Sequence, residues 1–351
     1  MAEIIGLGAG GGGSEQRDLI EQVRKRLSNP LLDSLEDSAL LPDALAELGA
    51  QLVFTTDSYV VHPWRFPGGD VGKLAVCGTV NDLAVMGARP RYLSTGMIVE
   101  EGTAQAELLA AVDSMARAAK EAGVRIVTGD TKVVERGKGD GIFINTAGIG
   151  IKPAGRNYGA HRLVPGLALI ASGNLGDHSV AVMLSREGME FESDIVSDCA
   201  PLSGMIEALI EAAGANNVYA MRDLTRGGLA AVLNEYAEAG GLDMLIEEAA
   251  LPVLPAVQAA ARVLGFEPSV LANEGKLLAV VAQDRAETAV AALRGHRYGR
   301  DAALIGVTGP RFDPAKPVAD RPRRPLVLYT TPSGGRRVVE MPLGELLPRI
   351  C

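Results

Sequence analysis

Acidic side chains in this chain stand beside glycines or at the ends of apolar segments. The most informative are Asp57, Asp82, Asp130 and Asp223. Asp82 lies inside the apolar segment 80–84, where neither a turn nor a helix cap requires a carboxylate. Because an unpaired buried carboxylate is costly, such an acid needs a partner. Mg²⁺ takes hard oxygen ligands and bridges them to phosphates, so these four residues are candidate metal ligands. A turn or capping role is the alternative for each of the other three acids taken singly.

A run of glycines near the start of the chain offers the complementary half of a phosphate site. It precedes a predicted helix, whose first N–H groups and dipole attract anions, and it consists of Gly10, Gly11, Gly12 and Gly13. Lys73 and Lys132 supply positive charges near the acids. A flexible tail is the alternative for the glycine run. A dinucleotide fingerprint is formally present, but no second strand follows its helix. No Walker A loop is present, since Leu or Gly follows every Gly-Lys pair.

The chain ends in a thiol, Cys351, behind a glycine-rich and basic segment at 333–337. Chain ends are usually exposed, and a thiolate is a strong nucleophile. This position therefore suits a carrier of an acyl or carbamoyl group between sites. Chance is the alternative, because 3 cysteines in 351 residues would end about 1 % of such chains. The adjacent α-carboxylate disfavours the thiolate, and either Arg349 or a partner protein is expected to offset this effect.

These residues need a framework, and hydrophobic periodicity predicts alternating α and β elements. The first half is expected to have strands over 51–56, 59–61, 92–98, 124–128 and 142–151, and helices over 15–27, 72–86 and 104–122. The turn-rich segment 152–166 marks a domain boundary. Beyond it we expect strands over 167–172, 242–247 and 277–282, and helices over 179–186, 202–213 and 227–239.

Composition limits the class of protein. With 351 residues and 47 % apolar residues, about two domains are expected, and a net charge of −9 argues against a nucleic-acid partner. The first residues lack the features of a signal peptide, and no apolar stretch is long enough to span a bilayer. Three cysteines without paired spacing predict no disulfide framework, and with it a cytoplasmic protein. Cys77 and Cys199 are expected to be small buried residues. Four scattered histidines predict no metal site, and His178 is interpreted as a surface or core residue.

Blocks along nearly the whole chain resemble the HypE family of hydrogenase maturation proteins. They are the segments 55–61, 66–88, 129–132, 142–149, 223–229, 272–276 and 348–351. The most specific blocks are Asn81-Asp82-Leu83-Ala84, the block Asp223-Leu224-Thr225-Arg226-Gly227-Gly228, and the closing Pro348-Arg349-Ile350-Cys351. The family often has a His before its glycine motif, whereas this chain has a longer glycine run.

The resemblance implies the aminoimidazole ribonucleotide synthetase-like (PurM-like) superfamily and its two-domain α/β (α+β) fold. In that fold, N-terminal domains pair into a β-barrel across a homodimer, ATP binds at the interface, and a C-terminal α/β domain follows. We accordingly expect an ATP-binding and dimerisation domain over 1–155, an α/β domain over 156–335, and a mobile tail over 336–351 that carries Cys351.

The resemblance also implies an activity. HypE-like proteins are ATP-dependent carbamoyl dehydratases, which are lyases. They receive a carbamoyl group on the terminal cysteine from HypF and dehydrate it to a thiocyanate. They then pass cyanide to iron held by HypC and HypD, for the [NiFe]-hydrogenase centre.

Site residues follow from the matching motifs. Cys351 is the expected carrier, Glu274 the expected general base, and Lys132 the residue expected to orient the amide oxygen and the phosphate. The expected ATP-binding residues are Gly10, Gly11, Gly12, Gly13, Lys73, Asp82, Asp130 and Asn145, and the expected Mg²⁺ ligands are Asp57, Asp82, Asp130 and Asp223.

Two other functions stay open at this point. One is a different ATP-dependent member of the superfamily, such as a small-molecule kinase or a selenophosphate synthetase, in which Cys351 would be idle. The absence of an N-terminal catalytic Cys argues against the synthetase. The other is a non-catalytic scaffold that binds maturation partners through its tail.

Overall fold

A computed structural model provides the structure of the chain. It describes residue 17, residues 39–41, 50–186, 194–311 and 324–343, and residues 347 and 349–351. The glycines Gly10 to Gly13 lie outside the described residues, as does the predicted helix over 15–27 apart from Arg17, which is helical.

Two main sheets and seven α-helices make up the described part of the chain. The strands are β1 (Ala39–Leu41), β2 (Gln51–Tyr59), β3 (Arg65–Phe66), β4 (Gly69–Asp70), β5 (Arg89–Glu100), β6 (Arg125–Val134), β7 (Ile142–Lys152), β8 (Ala168–Ala171), β9 (Val218–Asp223), β10 (Leu242–Glu247), β11 (Leu277–Val281), β12 (Ala303–Arg311), β13 (Val327–Thr330) and β14 (Arg336–Val338). The helices are α1 (Val71–Val85), α2 (Gln105–Ala122), α3 (Asp177–Leu184), α4 (Ser203–Ala213), α5 (Gly228–Gly240), α6 (Pro255–Leu264) and α7 (Ala286–Arg294).

The first sheet has the strand order β1-β2-β7-β5-β6. Buried and exposed residues largely alternate along β7, as expected for a sheet that is covered on one side. Helix α1 covers that side and is buried almost all round. Asp70 caps it by accepting a hydrogen bond from the Lys73 N–H (2.9 Å). The other side of the sheet, which we call the open face, carries exposed apolar residues that include Phe54, Tyr92 and Ile98.

The second sheet has the order β14-β13-β10-β12-β8-β11-β9. Its central strands β8 and β11 are wholly buried, as continuous apolar runs in a covered sheet should be. Asn81 of α1 joins the two halves of the molecule. Its amide donates to the Ala200 carbonyl (3.1 Å), and its side-chain oxygen accepts from the Leu202 N–H (2.8 Å). The first half therefore presents α1 directly to the second.

Most predicted elements are present with shifted ends. Helices α1, α2, α4 and α5 match the expectations, and α2 ends at Gly123 in the left-handed conformation (φ 71°), which favours glycine. The two strands expected over 51–61 are the single strand β2. Helices α6 and α7 and strands β9, β12 and β13 had no predicted counterpart. Strand β14 pairs with β13, so its three residues, which the sequence assigned to the tail, belong to the second sheet. In the described part of the chain, none of the helices has the length and apolar character needed to cross a bilayer.

Candidate active site around the terminal cysteine

The last three residues lie against the segment that follows β2. The Val60 N–H donates to a terminal carboxyl oxygen of Cys351 (3.1 Å), and the His62 N–H donates to the Arg349 carbonyl (3.0 Å). Ile350 between them is 5 % exposed and belongs to the core cluster around α1. The end of the chain that carries Cys351 is therefore docked against the segment that follows β2 and against the core around α1.

Cys351 is half-buried, and its thiol faces more negative than positive charge. Burial raises the pKa of the thiol to about 12, the Arg226 guanidinium opposes this, and Glu274, Asp57 and Asp223 add to it. These acids lie close enough to Cys351 for their charges to act on it. The docked cysteine is accordingly a neutral thiol near pH 7, surrounded by the acids that the sequence singled out.

Glu274 is a deeply buried carboxyl group. It is 3 % exposed, and its Oε1 has no hydrogen-bond partner among the described residues. Burial raises its pKa well above the usual range, and the acidic groups of Cys199 and Asp223 raise it further. A carboxylate with a raised pKa is a stronger base once it is ionised. Its neighbour Gly275 holds it in place, since a Cβ at Gly275 would meet the Asp198 carbonyl oxygen at 1.8 Å.

Arg226 brings positive charge to the site. It lies between β9 and α5, just before Gly227 (φ 77°) and Gly228 (φ 57°). A Cβ on Gly228 would meet the Leu271 carbonyl oxygen at 2.4 Å, so this turn requires glycine. Part of the Arg226 side chain is exposed. The negative charges of its neighbours still raise the pKa of Arg226: the Cys351 thiolate has the largest effect, and Asp57 and Glu274 add to it.

Asp57 and Asp82 join the same region from the first sheet and α1. The Thr55 hydroxyl donates to Asp82 Oδ2 (2.9 Å), and the Ser58 N–H donates to Asp57 Oδ1 (2.7 Å). Both acids act on buried Tyr59, since burial first and then Asp57 and Asp82 raise its pKa well above the usual range. The tertiary structure thus groups Cys351, Glu274, Asp57, Asp82 and Asp223.

Three predicted residues lie instead on the open face of the first sheet. The register places Ser58, Asn145, Gly96 and Asp130 in one row across β2, β7, β5 and β6. Thr146, next to Asn145, donates to the Ala75 carbonyl of α1 (2.8 Å), so Asn145 points the other way. Lys132 Nζ pairs with Asp130 Oδ2 (2.7 Å), which lowers the pKa of Asp130. Within one chain, Asp130, Lys132 and Asn145 are therefore separated from Cys351 by the sheet.

Lys73 lies at a third position. Its ammonium donates to the Gly68 carbonyl (2.9 Å), and it lines a polar cavity of about 260 Å³ together with Asp177, Asp198, Cys199 and Lys276. Asp177 is 8 % exposed and unpaired at Oδ1 among the described residues, and burial raises its pKa to about 7.

Metal binding needs more than these side chains. No three His, Cys, Asp or Glu residues in the described ranges converge closely enough to hold an ion. Mg²⁺ usually takes one or two carboxylates and completes its shell with substrate phosphates and water. The acids near Cys351 fit a site that phosphates and water complete, because they supply oxygen ligands. Their crowding, which raises the pKa values of neighbouring groups, is what a bound cation would relieve.

Sequence reasoning overlooked two contributors to this site. Arg226 stands in a quoted motif but received no role, although its place between Asp223 and two glycines was a usable signal. His178, interpreted as a surface or core residue, is wholly buried, and its Nε2 lies 2.8 Å from the Ile350 carbonyl. No local signal marks that contact, because the two residues are 172 positions apart.

The fold and this site define a class of protein. Residues 36–152 match the family model of the AIR synthase related protein, N-terminal domain, and residues 164–315 match the corresponding C-terminal domain. Among curated proteins, the chain is 49 % identical to the carbamoyl dehydratase HypE of Rhodobacter capsulatus over 350 residues, which is 99 % of this chain and 98 % of that protein. The chain belongs to the carbamoyl dehydratase HypE family.

Solved structures agree with this assignment. A crystal structure of a HypE–HypF complex matches with a TM-score of 0.83 and 44 % identity, over 92 % of this chain and 99 % of that one. A HypE crystal structure in complex with ATP matches with a TM-score of 0.80 and 43 % identity, over 97 % of this chain and 98 % of that one. The expected family, its two-domain α/β fold and its ATP-dependent carbamoyl dehydratase activity are confirmed.

Proposed function

We propose that this protein dehydrates an S-carbamoyl group on Cys351 to S-cyanide, using ATP. The observation that carries the proposal is the docked position of Cys351 beside Glu274 and Arg226. A carrier thiol at a chain end has no reason to be held among buried acids unless its cargo reacts there. The family's activity as carbamoyl dehydratases supports the same conclusion.

The chemistry requires the amide oxygen to become a leaving group. The oxygen of S–C(=O)NH₂ attacks the γ-phosphorus of ATP, the bond from that phosphorus to ADP breaks, and an O–P bond forms. A base then removes the N–H protons while the C–O bond breaks and the C≡N bond forms. Phosphate leaves with the former amide oxygen. The net loss from the carbamoyl group is one water: its oxygen leaves in phosphate, and its two protons pass through the base to phosphate and solvent.

Glu274 is the base that this step needs. Its burial and its acidic neighbours strengthen the carboxylate as a proton acceptor. Its unpaired Oε1 leaves an acceptor available for the amide N–H. Arg226 opposes the charge of the acids and favours the anionic oxygen that forms as phosphate departs.

A homodimer completes the ATP site in this proposal. The open face of the first sheet carries large exposed side chains, including Phe54, Tyr92 and Ile98, and a second copy would cover them. The two N-terminal sheets would then form the β-barrel expected for the fold. Asp130, Lys132 and Asn145 would border ATP at that interface, with Lys132 directed to the phosphate. The finer domain bounds and the roles of Lys73 and Gly10 to Gly13 are part of the same proposal.

Mg²⁺ is the metal proposed for this site, and Asp57, Asp82 and Asp223 near Cys351 are its candidate ligands. Asp130, on the other face of the sheet, would join them only from the second copy of the chain. When bound, Mg²⁺ neutralises charge on the transferring phosphoryl group. The remaining parts of the proposal are a cytoplasmic location, a tail that leaves its docked position to be loaded, HypF as the carbamoyl donor, and a HypC–HypD complex as the acceptor of cyanide. The HypE–HypF crystal structure supports the donor.

Mass spectrometry of the C-terminal peptide tests the function. After incubation with the carbamoyl donor system, the peptide should gain a carbamoyl group, and it should lose the mass of one water when ATP is added. Cys351→Ala should abolish both changes, whereas the matched control Cys77→Ala, which removes a buried thiol of α1, should retain them. An ATP turnover rate that is the same in Cys351→Ala and in the unsubstituted protein would favour the kinase-like alternative. A carbamoyl adduct that never loses water would favour the scaffold.

A further inference from the structure

His178 binds the tail by a hydrogen bond of defined direction. Because the Ile350 carbonyl can only accept, Nε2 of His178 carries the proton and donates to it (2.8 Å). Nδ1 then accepts from the Ser197 hydroxyl (2.8 Å), and Ser197 Oγ in turn accepts from the Cys199 N–H (3.1 Å). Burial lowers the pKa of His178 and keeps the ring neutral, which this arrangement requires.

The ring itself is held rigidly. His178 lies in α3 with no exposed surface, and Phe66 meets it edge-on at a centroid distance of 5.3 Å and an angle of 88°. Ser197 is fixed as well, since its N–H donates to the Pro67 carbonyl (2.7 Å). The donor to Ile350 is therefore pre-organised before the tail arrives.

The remaining contacts of the tail leave the Ile350 carbonyl for His178 alone among the described residues. The Arg349 carbonyl accepts from the His62 N–H, and a terminal oxygen of Cys351 accepts from the Val60 N–H. The Arg349 guanidinium adds an ion pair to Asp140 and donates to the Val60 carbonyl (2.9 Å). The Ile350 carbonyl consequently points into the core, where it needs a donor.

We propose that His178 is a positioning residue that fixes the terminal cysteine in the dehydration site through the backbone of Ile350. The inference rests on the proposed function and extends it. A docked tail presents the Cys351 cargo to Glu274 and Arg226, whereas a donor protein must load the thiol on an undocked tail. His178 thereby sets the balance between loading and dehydration.

The size of the effect follows from the cost of leaving the carbonyl unpaired in the core. That cost corresponds to a fall of about 5- to 150-fold in the ratio of docked to undocked tail. His178→Phe keeps a flat ring but removes the donor. His178→Gln places an amide N–H near the position of Nε2 and should restore most of the docked population.

Digestion of the full-length protein with a carboxypeptidase measures docking without any reference to catalysis. Release of Cys351 should be about 5- to 150-fold faster from His178→Phe than from the unsubstituted protein, and close to the original rate from His178→Gln. Ser197→Ala, which frees the ring tautomer, should be intermediate. His161→Phe alters an exposed histidine paired with Asn157 and serves as the matched control with an unchanged rate.

Single-turnover measurements then connect docking to the reaction. In His178→Phe, carbamoyl loading by the donor system should be as fast as before or faster, while ATP-dependent loss of water from the loaded protein should slow. A residue with a merely structural role would slow both steps, and His178→Gln would not repair them. Equal release and equal dehydration rates in folded His178→Phe and unsubstituted protein would overturn the inference.

Two arrangements keep the test decisive. If His178→Phe does not fold, Ser197→Ala takes its place, since Ser197 holds the His178 ring tautomer; unchanged Cys351 release in that variant would refute the positioning role. If the carbamoyl group on Cys351 of the unsubstituted protein is not dehydrated when ATP is added, the proposed function fails. The carboxypeptidase result would then still decide whether His178 anchors the tail.

Discussion

The docked Cys351 thiol should resist alkylation far more than an ordinary cysteine at the same pH. Its pKa is raised from 9.0 to about 12, and at pH 8 this lowers the thiolate fraction about a thousandfold. A more basic thiolate is also a better nucleophile, with a Brønsted slope of about 0.5, which returns about 30-fold over three pKa units. The net expectation is a rate about 30-fold lower than that of an unconstrained thiol.

Iodoacetamide alkylation, read by mass spectrometry of the C-terminal peptide, measures this rate. The reference is a synthetic peptide of residues 343–351, whose thiol is fully exposed. Buried Cys77 and Cys199, which are 0 % and 2 % exposed, serve as internal controls and should stay unmodified while the protein is folded. The logarithm of the Cys351 rate should keep rising with pH beyond 9, where the peptide rate levels off.

The refuting result is equally specific. A Cys351 rate that equals the peptide rate at pH 8 and levels off near pH 9 would mean that the thiol is neither buried among acids nor held by the tail contacts. The physical account of the site would then be wrong. A low rate has a functional consequence, because an inert docked thiol is protected until a donor protein loads it.

Other perturbations give equally direct tests. Glu274→Gln should slow dehydration about 10²- to 10⁴-fold and leave carbamoyl loading unchanged, as single-turnover mass spectrometry can measure; similar dehydration rates would exclude Glu274 as the base. In Asp177, burial raises the folded-state pKa from 3.8 to about 7. The folded state then binds more protons than the unfolded state between these values, so stability falls as pH rises through this window. Asp177→Asn should therefore raise the free energy of unfolding at pH 8 by up to about 4 kcal/mol and change it little near pH 4; urea titrations with equal effects at both pH values would contradict this. Ile98→Arg should convert the proposed homodimer to monomers in sedimentation velocity, and a dimer that persists would place the interface elsewhere.

Local patterns predicted the first half of the fold well. The apolar segment 72–86 and the amphipathic segment 104–122 became α1 and α2 because each pattern fits a helix buried on all sides or on one. The second half was predicted less completely. Helix α6 buries only two residues, Val257 and Ala261, and Pro252 and Pro255 interrupt the apolar segment in which it begins. Strands β12 and β13 are recognisable mainly by the partners they find in the sheet.

Motifs in the sequence alone determined the chemistry of the protein: a terminal thiol, acids beside glycines, and the blocks shared with its family. Such motifs survive in sequence because Asp, Glu, Cys and Gly have chemical and conformational properties that other residues lack. They named Cys351 and Glu274 as reaction partners before any distance between them was known.

Only the tertiary structure decided which residues meet. It grouped Asp57, Asp82 and Asp223 with Cys351, and it left Asp130 and Lys132 on the opposite side of the first sheet. It also revealed Arg226 beside the thiol and His178 beneath the tail. The physical reason is that burial, neighbouring charge and hydrogen-bond direction depend on contacts between residues far apart in the chain, such as the 172 positions between His178 and Ile350. Local sequence does not reveal those contacts. They form because α1 packs between the two sheets and brings the two halves of the chain together.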